Sequence, residues 1–423
     1  MDSLKLKDFI IVIFSGFTTL FAQTALQKDS VTMQASYAEE VYYSFTTGMV
    51  SSVPRNQWDI AFRTNIMSSG ILINDGVGVV LYTYPNGDSS VWSAAWDTAG
   101  ISTWTPMYND PTDWENGAFS RNATGHPDYG WGVYNSITHD LRGDSCFLIK
   151  TRDGSFKRIF IARKISVDNQ YIFRTANLDG TNSVVTTFTC TPYMAKDFVG
   201  YDLQNMQVVD FQPAKDSWDI LFTKYMSVQP DGSPYAVTGV LNNDGVGANK
   251  YAGVPLAYPY WGVQEFDFGR SPIGWDWKYF DMGTFTYAVE DSLVFFVQNQ
   301  NGDVAKIYFT KFAGSSSGKI VFYRGFVSAT GTEDVNKESD GLTVFPNPAS
   351  SMVNFNLLPG ANGDARFDIR EMTGRVVWTG DFKVIAGQAQ SGMIDVSSLA
   401  SGVYLFNYVN GDVKQTHKLI IQK

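Results

Sequence analysis

A repeated set of short segments constrains the fold of this chain more than any other feature of its sequence. The motif Trp-Asp-Ile-x-Phe occurs twice, and so does Asn-Asp-Gly-Val-Gly. Three further segments recur in the same order, and the second copies of all five segments lie about 145 to 170 residues downstream. The matching segments are 58–62 with 218–222, 74–78 with 243–247, 130–134 with 274–279, 144–154 with 291–302, and 156–164 with 304–312. This order predicts two tandem copies of one fold.

Each repeated motif has the pattern of a strand or a turn. The alternation in Trp-Asp-Ile-x-Phe predicts a strand with Trp, Ile and Phe on one side, while Asp lies on the other or caps a turn. Asn-Asp-Gly-Val-Gly predicts a turn whose Asn, Asp and Gly tolerate positive φ. Asp153-Gly154 and Asn301-Gly302 predict two-residue hairpin tips. Because we find no convincing amphipathic helix, we predict an all-β chain of mostly antiparallel strands.

Composition limits the possible partners. The 423 residues are 15% aromatic and 17% charged and include 38 glycines. Such a mixture is typical of extracellular β-structure with many turns and not of helical bundles. The net charge is −10, and the isoelectric point is about 4.8. Nucleic acid is excluded as an expected partner, because the sequence contains no basic cluster that would displace its counterions.

The C-terminal segment 342–423 has the pattern of a small Ig-like β-sandwich. Short alternating runs are separated by Gly, Asn and Asp turns. The segment opens with Pro-Asn-Pro over 346–348, contains Gly-Val-Tyr over 402–404 and ends on a Lys-apolar-Lys pattern. These features resemble the type A C-terminal sorting domain of type IX secretion. The resemblance implies the machinery of that pathway as a partner, and a protein that is secreted or held at the outer-membrane surface.

The opposite end has the pattern of a signal peptide over residues 1–22. Charged residues precede a short apolar run, and a small residue, Ala22, precedes the expected cleavage point. The run is too short to span a membrane, so we expect no transmembrane segment in the mature chain. The predicted organisation places β domains at 23–195 and 196–330, a linker at 331–341 and the sorting domain at 342–423.

A second resemblance comes from the first copy of the repeat. Its Gly-Trp-Gly-Val-Tyr-Asn segment at 130–135 is followed by Thr138-His139 and then by the Asp-Gly hairpin. This arrangement is similar to the HmuY family of haem-capturing proteins. The resemblance implies two tandem HmuY-like β domains, with haem as a cofactor of the first.

Haem iron needs an axial ligand such as His or Met in a dry aromatic pocket. By the resemblance, His139 is the expected iron ligand, with His126 or Met107 on the opposite face. Trp131 and Tyr134 are expected to line the pocket. The alternative is that a neighbouring strand holds His139, and that His126 is a solvated loop residue.

The second copy departs from this pattern. It contains no histidine over 196–330, and an ungapped alignment places Thr286 opposite His139. Haem in the second copy would therefore need methionine ligands such as Met282 or Met226.

Three function classes remain open. The first is a haem-binding or porphyrin-binding protein, and the second is a structural or adhesive surface protein that uses the same fold without haem. A hydrolase is the third, and only the extracellular context favours it. Because enzyme motifs such as Gly-x-Ser-x-Gly and His-Glu-x-x-His are absent, we expect no enzymatic activity.

Some residues allow two interpretations. Cys146 and Cys190 are the only cysteines, and an oxidising compartment permits a disulfide bond between them or two buried thiols. Glu39 and Glu40 point opposite ways on a strand, and we expect both to be solvated. The loops 92–128 and 251–273 are rich in Trp and Tyr, which could stack on a ligand. We expect these aromatic residues to pack the loops against the sheet instead.

Overall fold

The computed structural model describes residues 26–229, 231–328, 341–345, 347–359, 361–386, 390–411 and 413–423. Within these ranges the regular structure consists of strands and three-residue 3-10 turns, and every strand pair is antiparallel. The predicted all-β class is therefore confirmed. The predicted signal peptide and all of the predicted linker except Gly341 lie outside these residues. Among the described residues, no helix is both long and apolar enough to cross a membrane.

The strands of residues 26–328 are numbered in chain order. They are β1 (Gln27–Thr32), β2 (Glu39–Ser44), β3 (Gly48–Pro54), β4 (Ile60–Arg63), β5 (Ile71–Ile73), β6 (Val80–Asp88), β7 (Gly132–Tyr134), β8 (Leu141–Gly143), β9 (Ser145–Lys150), β10 (Phe156–Ile165), β11 (Gln170–Asn177), β12 (Val184–Thr189), β13 (Phe198–Asp202), β14 (Gln207–Val209), β15 (Ile220–Val228), β16 (Pro234–Asn242), β17 (Gly247–Ala252), β18 (Lys278–Asp281), β19 (Thr286–Val289), β20 (Leu293–Gln298), β21 (Val304–Phe312) and β22 (Lys319–Ser328).

The remaining strands belong to the C-terminal unit: β23 (Gly341–Phe345), β24 (Met352–Leu358), β25 (Gly363–Glu371), β26 (Val376–Val384), β27 (Gln390–Asp395), β28 (Gly402–Asn410) and β29 (Val413–Ile421). The 3-10 turns are Ala35–Tyr37, Arg55–Gln57, Asp75–Val77, Ser89–Val91, Ile101–Thr103, Ala118–Ser120, Thr191–Tyr193, Trp261–Val263 and Gly314–Ser316.

The first hydrophobic core lies between two sheets. One is the seven-stranded sheet that contains β6 to β12, and the other has the strand order β14-β13-β4-β5. Phe62 of β4 lies at the centre, with its ring 4.6 Å from that of Tyr171 and 5.5 Å from that of Phe173. These side chains are fully buried, so the alternating apolar positions of the sequence become the inner faces of a sandwich.

The second core repeats this arrangement with the sheets β1-β22-β21-β20-β17 and β16-β15-β2-β3. Phe222, the equivalent of Phe62, stacks on Phe322 with ring centroids 5.5 Å apart. Val31 of β1 and Tyr43 of β2 are buried in the same core. The strands nearest the N-terminus therefore complete the second core.

The strand pairing revises the domain boundaries predicted at 23–195 and 196–330. β13, which follows the predicted boundary, pairs with β4, whereas β1 pairs with β22 and β2 with β15. The first core is therefore continuous over 60–209, and the second is assembled from two separate parts of the chain. All described residues up to 328 form one compact unit. A repeated motif identifies equivalent strands, but it does not reveal with which copy each strand pairs.

The outer faces of the two four-stranded sheets meet around Trp114. Trp58 stacks on Phe211 at 5.0 Å, and Trp218 makes an edge contact with Tyr42 at 5.0 Å. Trp114 packs against both of these groups. The prediction that Trp shares a side with Ile and Phe is wrong, because each Trp precedes the first paired residue of its strand and turns to the outer face.

The repeated turns differ in detail from the prediction. Thr151 N donates to Ser155 O at 2.8 Å, so Asp153-Gly154 belongs to a three-residue loop and not to a two-residue tip. Gly154 has φ 85°, and its equivalent Gly302 has φ 87°. Glycine serves another purpose at Gly76, where a Cβ atom would lie 1.9 Å from the Lys224 carbonyl oxygen. That close approach joins the two halves of the unit.

The C-terminal unit has its own core between the sheets β23-β24-β27 and β26-β25-β28-β29. Phe355 and Phe367, one from each sheet, lie with ring centroids 4.4 Å apart. This arrangement confirms the predicted small β-sandwich.

Candidate functional site

The histidines of the first copy lie beside one hairpin, which we call the histidine hairpin (residues 132–143, strands β7 and β8). Tyr134 pairs with Leu141 across the hairpin. Asn135 Oδ1 accepts the amide protons of Ile137 and Thr138 at 2.9 and 3.1 Å, and this side-chain bonding shapes the loop. His139 follows with φ 57°, and its amide donates to Asn135 O at 2.8 Å. The loop therefore holds His139 above the strand that carries Tyr134.

Three of the four predicted site residues come together here. The Tyr134 hydroxyl and His139 Nδ1 are hydrogen-bonded at 2.6 Å. The His126 ring lies 5.3 Å from the Tyr134 ring and 6.2 Å from the Tyr129 ring. Both histidines are exposed, and Tyr134 is partly buried. The group is an accessible His-Tyr-His surface cluster, and sequence analysis did not include Tyr129.

Trp131 does not belong to this cluster. Its side chain is fully buried in the first core, and Nε1 donates to Ser69 O at 3.2 Å. Met107 is also a core residue, whose sulfur accepts a hydrogen bond from Thr83 at 3.5 Å. A ligand on the exposed histidines could not contact either residue. The alternation of the strand places Trp131 inward and leaves Tyr134 at the surface end of the hairpin.

The second copy has an equivalent hairpin formed by β18 and β19. Phe280 pairs with Tyr287 as Tyr134 pairs with Leu141, and six residues separate the partners in both loops. Phe285, at φ 52°, therefore occupies the position of His139. The ungapped alignment with Thr286 was shifted by one residue. In this copy Phe280 and Phe285 replace the Tyr134–His139 pair, so neither position offers an iron ligand.

The Asp of each Trp-Asp motif caps a neighbouring strand. Asp59 Oδ2 accepts the Leu203 amide at 2.8 Å, and Asp219 Oδ2 accepts the Phe45 amide at 2.6 Å. In the first copy, Arg152 also links Asp59 and Asp202, with two nitrogen–oxygen distances of 2.7 Å. Burial raises the pKa of Asp59, although the contacts with Arg152 and Leu203 oppose that shift. These acidic residues therefore have a structural role.

A small cavity of about 50 Å³ lies between the two cores. Its walls include Glu40, Asp75, Tyr225 and Arg270, all of which are buried. Burial raises the pKa of Asp75 to about 6 against the opposing field of Arg270, and it also raises the pKa of Glu40. The expectation that Glu40 is solvated is therefore wrong, since its strand turns this side chain towards the other core.

Hydrogen bonds fix Arg270 in this interface. Its Nη1 donates to Asp110 O at 2.8 Å, and its guanidinium lies 4.3 Å from the Trp114 ring centroid. Trp114 Nε1 in turn donates to Asn242 O at 2.9 Å. Part of the first aromatic loop therefore clamps the two cores together.

The other loop aromatics pack over the outer faces of the large sheets, as expected. Arg158, buried under the first loop, donates to Ala94 O at 2.8 Å and lies 4.6 Å from the Trp96 ring centroid. Its equivalent Lys306 donates to Tyr258 O of the second loop at 2.6 Å. Burial lowers the pKa of Lys306 to about 8. A buried cation therefore bonds a loop carbonyl in both copies.

The cysteines are two free thiols. Cys146 lies beneath the first aromatic loop and Cys190 in the first core, and both are fully buried. Burial raises their thiol pKa values to about 11 and about 12, respectively. Among the described residues, no group of three or more His, Cys, Asp or Glu side chains could hold a metal ion.

Comparisons with known proteins bear on the C-terminal unit. Residues 343–422 match the family described as the secretion system C-terminal sorting domain. The β-sandwich and this match define the C-terminal unit as a sorting domain. This sorting domain indicates export by type IX secretion, to the cell surface or the exterior. It also implies interaction with the machinery of that pathway.

No curated protein matches the chain. Among solved structures, a β-glucuronidase from Faecalibacterium prausnitzii is 8% identical, with a TM-score of 0.17; the match covers 56% of this chain and 41% of the enzyme. Dimeric latent PorU from Porphyromonas gingivalis is 11% identical, with a TM-score of 0.19; the match covers 90% of this chain and 40% of PorU. The chain thus spans about two fifths of the length of these proteins, and neither likeness bears on its function.

Proposed function

We propose that this chain works outside the cell as a non-catalytic adhesive or structural protein. The observation that carries the proposal is a set of apolar side chains on turns at one end of the first core. Met67, Ile137 and Val167 are 88%, 87% and 82% exposed. Folded proteins rarely leave such side chains grouped in water unless they serve an interaction.

Hydrogen bonds join the three turns that carry these residues. Asn169 Nδ2 donates to Thr64 O at 2.7 Å, and Ser166 Oγ donates to His139 O. These bonds connect the turn of Val167 to the turns of Met67 and Ile137. A preformed group of protruding apolar residues suits attachment to another surface, because little ordering entropy is lost on contact.

Adhesion of the full chain tests this proposal. Labelled protein is added to producing cells from which its gene has been deleted, and bound fluorescence is measured. We expect the combined variant Met67→Ser, Ile137→Ser and Val167→Ser to bind at least tenfold less. Met49→Ser, at an exposed residue of β3, is the matched control and should change binding less than twofold. Equal binding by the triple variant would contradict the proposed surface.

The proposed absence of catalytic activity is tested separately. Hydrolysis of a glycoside, ester or peptide by the purified chain would contradict it, provided that one side-chain substitution abolishes the activity without unfolding the protein.

Haem capture is a second candidate function, favoured by the Tyr134–His139 hydrogen bond. Bound haem would supply an iron centre that accepts oxygen or nitrogen ligands. Tyr134 would offer its phenolic oxygen, and His139 Nδ1 is placed to take the phenolic proton. His126 offers a second imidazole nearby. These residues fit a single exposed ligation site and not the enclosed pocket lined by Trp131.

The haem test uses the full chain, because a fragment that ends near residue 195 would lack β13 and β14. Ferric haem should shift the Soret band of the wild-type protein. Tyr134→Phe and His139→Ala should alter or abolish that spectrum, because packing cannot replace an axial bond. Phe280→Ala in the equivalent hairpin is the matched control. An unchanged wild-type spectrum at micromolar haem would exclude this candidate.

A further inference from the structure

The outer face of the second large sheet carries a groove lined by three lysines. The groove has a volume of about 660 Å³ and lies along β1, β21 and β22. Lys28, Lys311 and Lys319 line it, with Ser30 and Val321 between them. We call this feature the lysine groove. It is a positively charged feature on a chain whose net charge is −10.

Strand register explains why these lysines share one face. Ser30 pairs with Val321, Lys311 also pairs with Val321, and Lys28 pairs with Tyr323. Register partners in an antiparallel sheet project to the same side, and neighbours along a strand project to opposite sides. Val31, next to Ser30, points into the second core. The lysines therefore project outward.

The positive charge of the groove is not cancelled by its one carboxylate. Asp29 accepts a hydrogen bond from the Tyr43 hydroxyl at 2.6 Å and lies 3.6 Å from Arg324 Nε. Among the residues that the structure describes, no ion pair involves any of the three lysines, and all three are exposed. Three positive charges are thus available to an incoming anion.

The first core lacks this feature at the equivalent place. By strand register, Val185 of β12 stands where β1 has Lys28, and Gln170 of β11 stands where β22 has Lys319. Arg163, the equivalent of Lys311, is paired with Asp140. The lysines are therefore not a requirement of the fold.

We propose that the lysine groove binds a linear glycan that carries carboxylate or sulfate groups. Three separated lysines match sparse charges along a chain, and the Tyr308–Tyr323 pair, stacked at 5.1 Å, continues the same face with flat apolar surface. Duplex DNA fits less well, because it carries one charge per roughly 1.7 Å and the net charge of −10 on the chain would repel it. The inference deepens the proposed extracellular role and rests on it.

Binding of the full chain to polygalacturonate, chondroitin sulfate, neutral dextran and duplex DNA tests the inference at low and high salt. We expect binding to at least one acidic glycan, weakening with salt, and none to dextran. Polygalacturonate carries carboxylates only, whereas chondroitin sulfate carries both carboxylates and sulfates, so binding to chondroitin sulfate alone would indicate that the groove requires sulfate. The combined variant Lys28→Glu, Lys311→Glu and Lys319→Glu should bind at least tenfold more weakly.

The matched control reverses three cations of the first core, Arg142→Glu, Lys157→Glu and Arg174→Glu, and so makes the same change in net charge. It should bind within twofold of wild type, and circular dichroism and unfolding midpoints confirm that both variants fold. Equal loss in both variants, absence of glycan binding, or tighter binding to duplex DNA would overturn the inference. Cell adhesion that persists without glycan binding would overturn this inference alone and leave the proposed adhesive role intact.

Discussion

Arg152 and Gln300 occupy equivalent positions in the tips of equivalent hairpins, but only Arg152 bridges two buried carboxylates. Its guanidinium contacts Asp59 and Asp202, whereas Gln300 Nε2 donates to Asp244 O at 2.7 Å. Asp219, the equivalent of Asp59, accepts the Phe45 amide, and burial raises its pKa. The equivalent aspartates of the two copies thus cap neighbouring strands, but only the first copy pairs its aspartate with an arginine.

Arg152→Gln should therefore destabilise the unit strongly. The substitution leaves two buried carboxylates without their cation, for which we expect a loss of about 3–5 kcal/mol in the free energy of unfolding. Urea denaturation measures this loss. Gln300→Arg is the matched variant, which we expect to stabilise the unit by at most about 1 kcal/mol because position 300 is exposed. A cost below about 1 kcal/mol for Arg152→Gln would contradict the role of the bridge.

Ionisation of the buried Asp75 carboxyl should lower the free energy of unfolding as the pH rises. Its pKa is raised to about 6 in the folded protein, so between pH ~4 and ~6 the folded state holds a proton that the unfolded state has released. Stability from this group is therefore present at low pH and lost as the pH rises through that window. Asp75→Asn should remove this part of the pH dependence.

The measurement is the unfolding midpoint of Asp75→Asn and wild type at several pH values between 4 and 7. The control is Asp216→Asn, at an exposed residue of the neighbouring copy. A difference between Asp75→Asn and wild type that stays constant with pH would show that Asp75 does not titrate in this range.

Val31→Asp should weaken the second core more than the first. Val31 is buried in the second core, although it precedes the whole first core in the chain. We expect a cost of at least about 3 kcal/mol, because an unpaired charge enters an apolar site. Hydrogen exchange should show that the substitution accelerates amide exchange, relative to wild type, more in β15 to β22 than in β4 to β14.

The control for Val31→Asp lies on the equivalent strand of the first core. Val185→Asp in β12 changes a residue that is 59% exposed and should shift stability by less than about 0.5 kcal/mol. If Val31→Asp accelerates exchange equally in both cores, the N-terminal strands do not belong specifically to the second.

Neither cysteine should react quickly in the folded protein. Both thiols are fully buried, and their raised pKa values leave almost no thiolate at neutral pH. A thiol reagent should label no cysteine in native buffer and two in denaturant, without prior reduction. Labelling that requires a reductant would instead reveal a disulfide bond between Cys146 and Cys190.

Local patterns in the sequence were enough to predict the strand content and the C-terminal sandwich. Strand alternation and turn chemistry act over a few residues, and the Gly-Val-Tyr segment at 402–404 lies within strand β28. The repeat likewise identified equivalent strands. It did not reveal the partner of each strand, because pairing depends on contacts between residues far apart, such as Gln27 with Arg324.

Part of the candidate site could also be predicted, because that part depends on local structure. His139 and Tyr134 are five residues apart in one hairpin, and their proximity follows from local structure. The burial of Trp131 and Glu40 depends on which face of a strand meets the core or the other copy. By itself, the sequence determined the all-β class, the sorting domain and the existence of two copies. Only the tertiary structure decided that the N-terminal strands close the second core and that three lysines share one groove, because both depend on the register between distant strands.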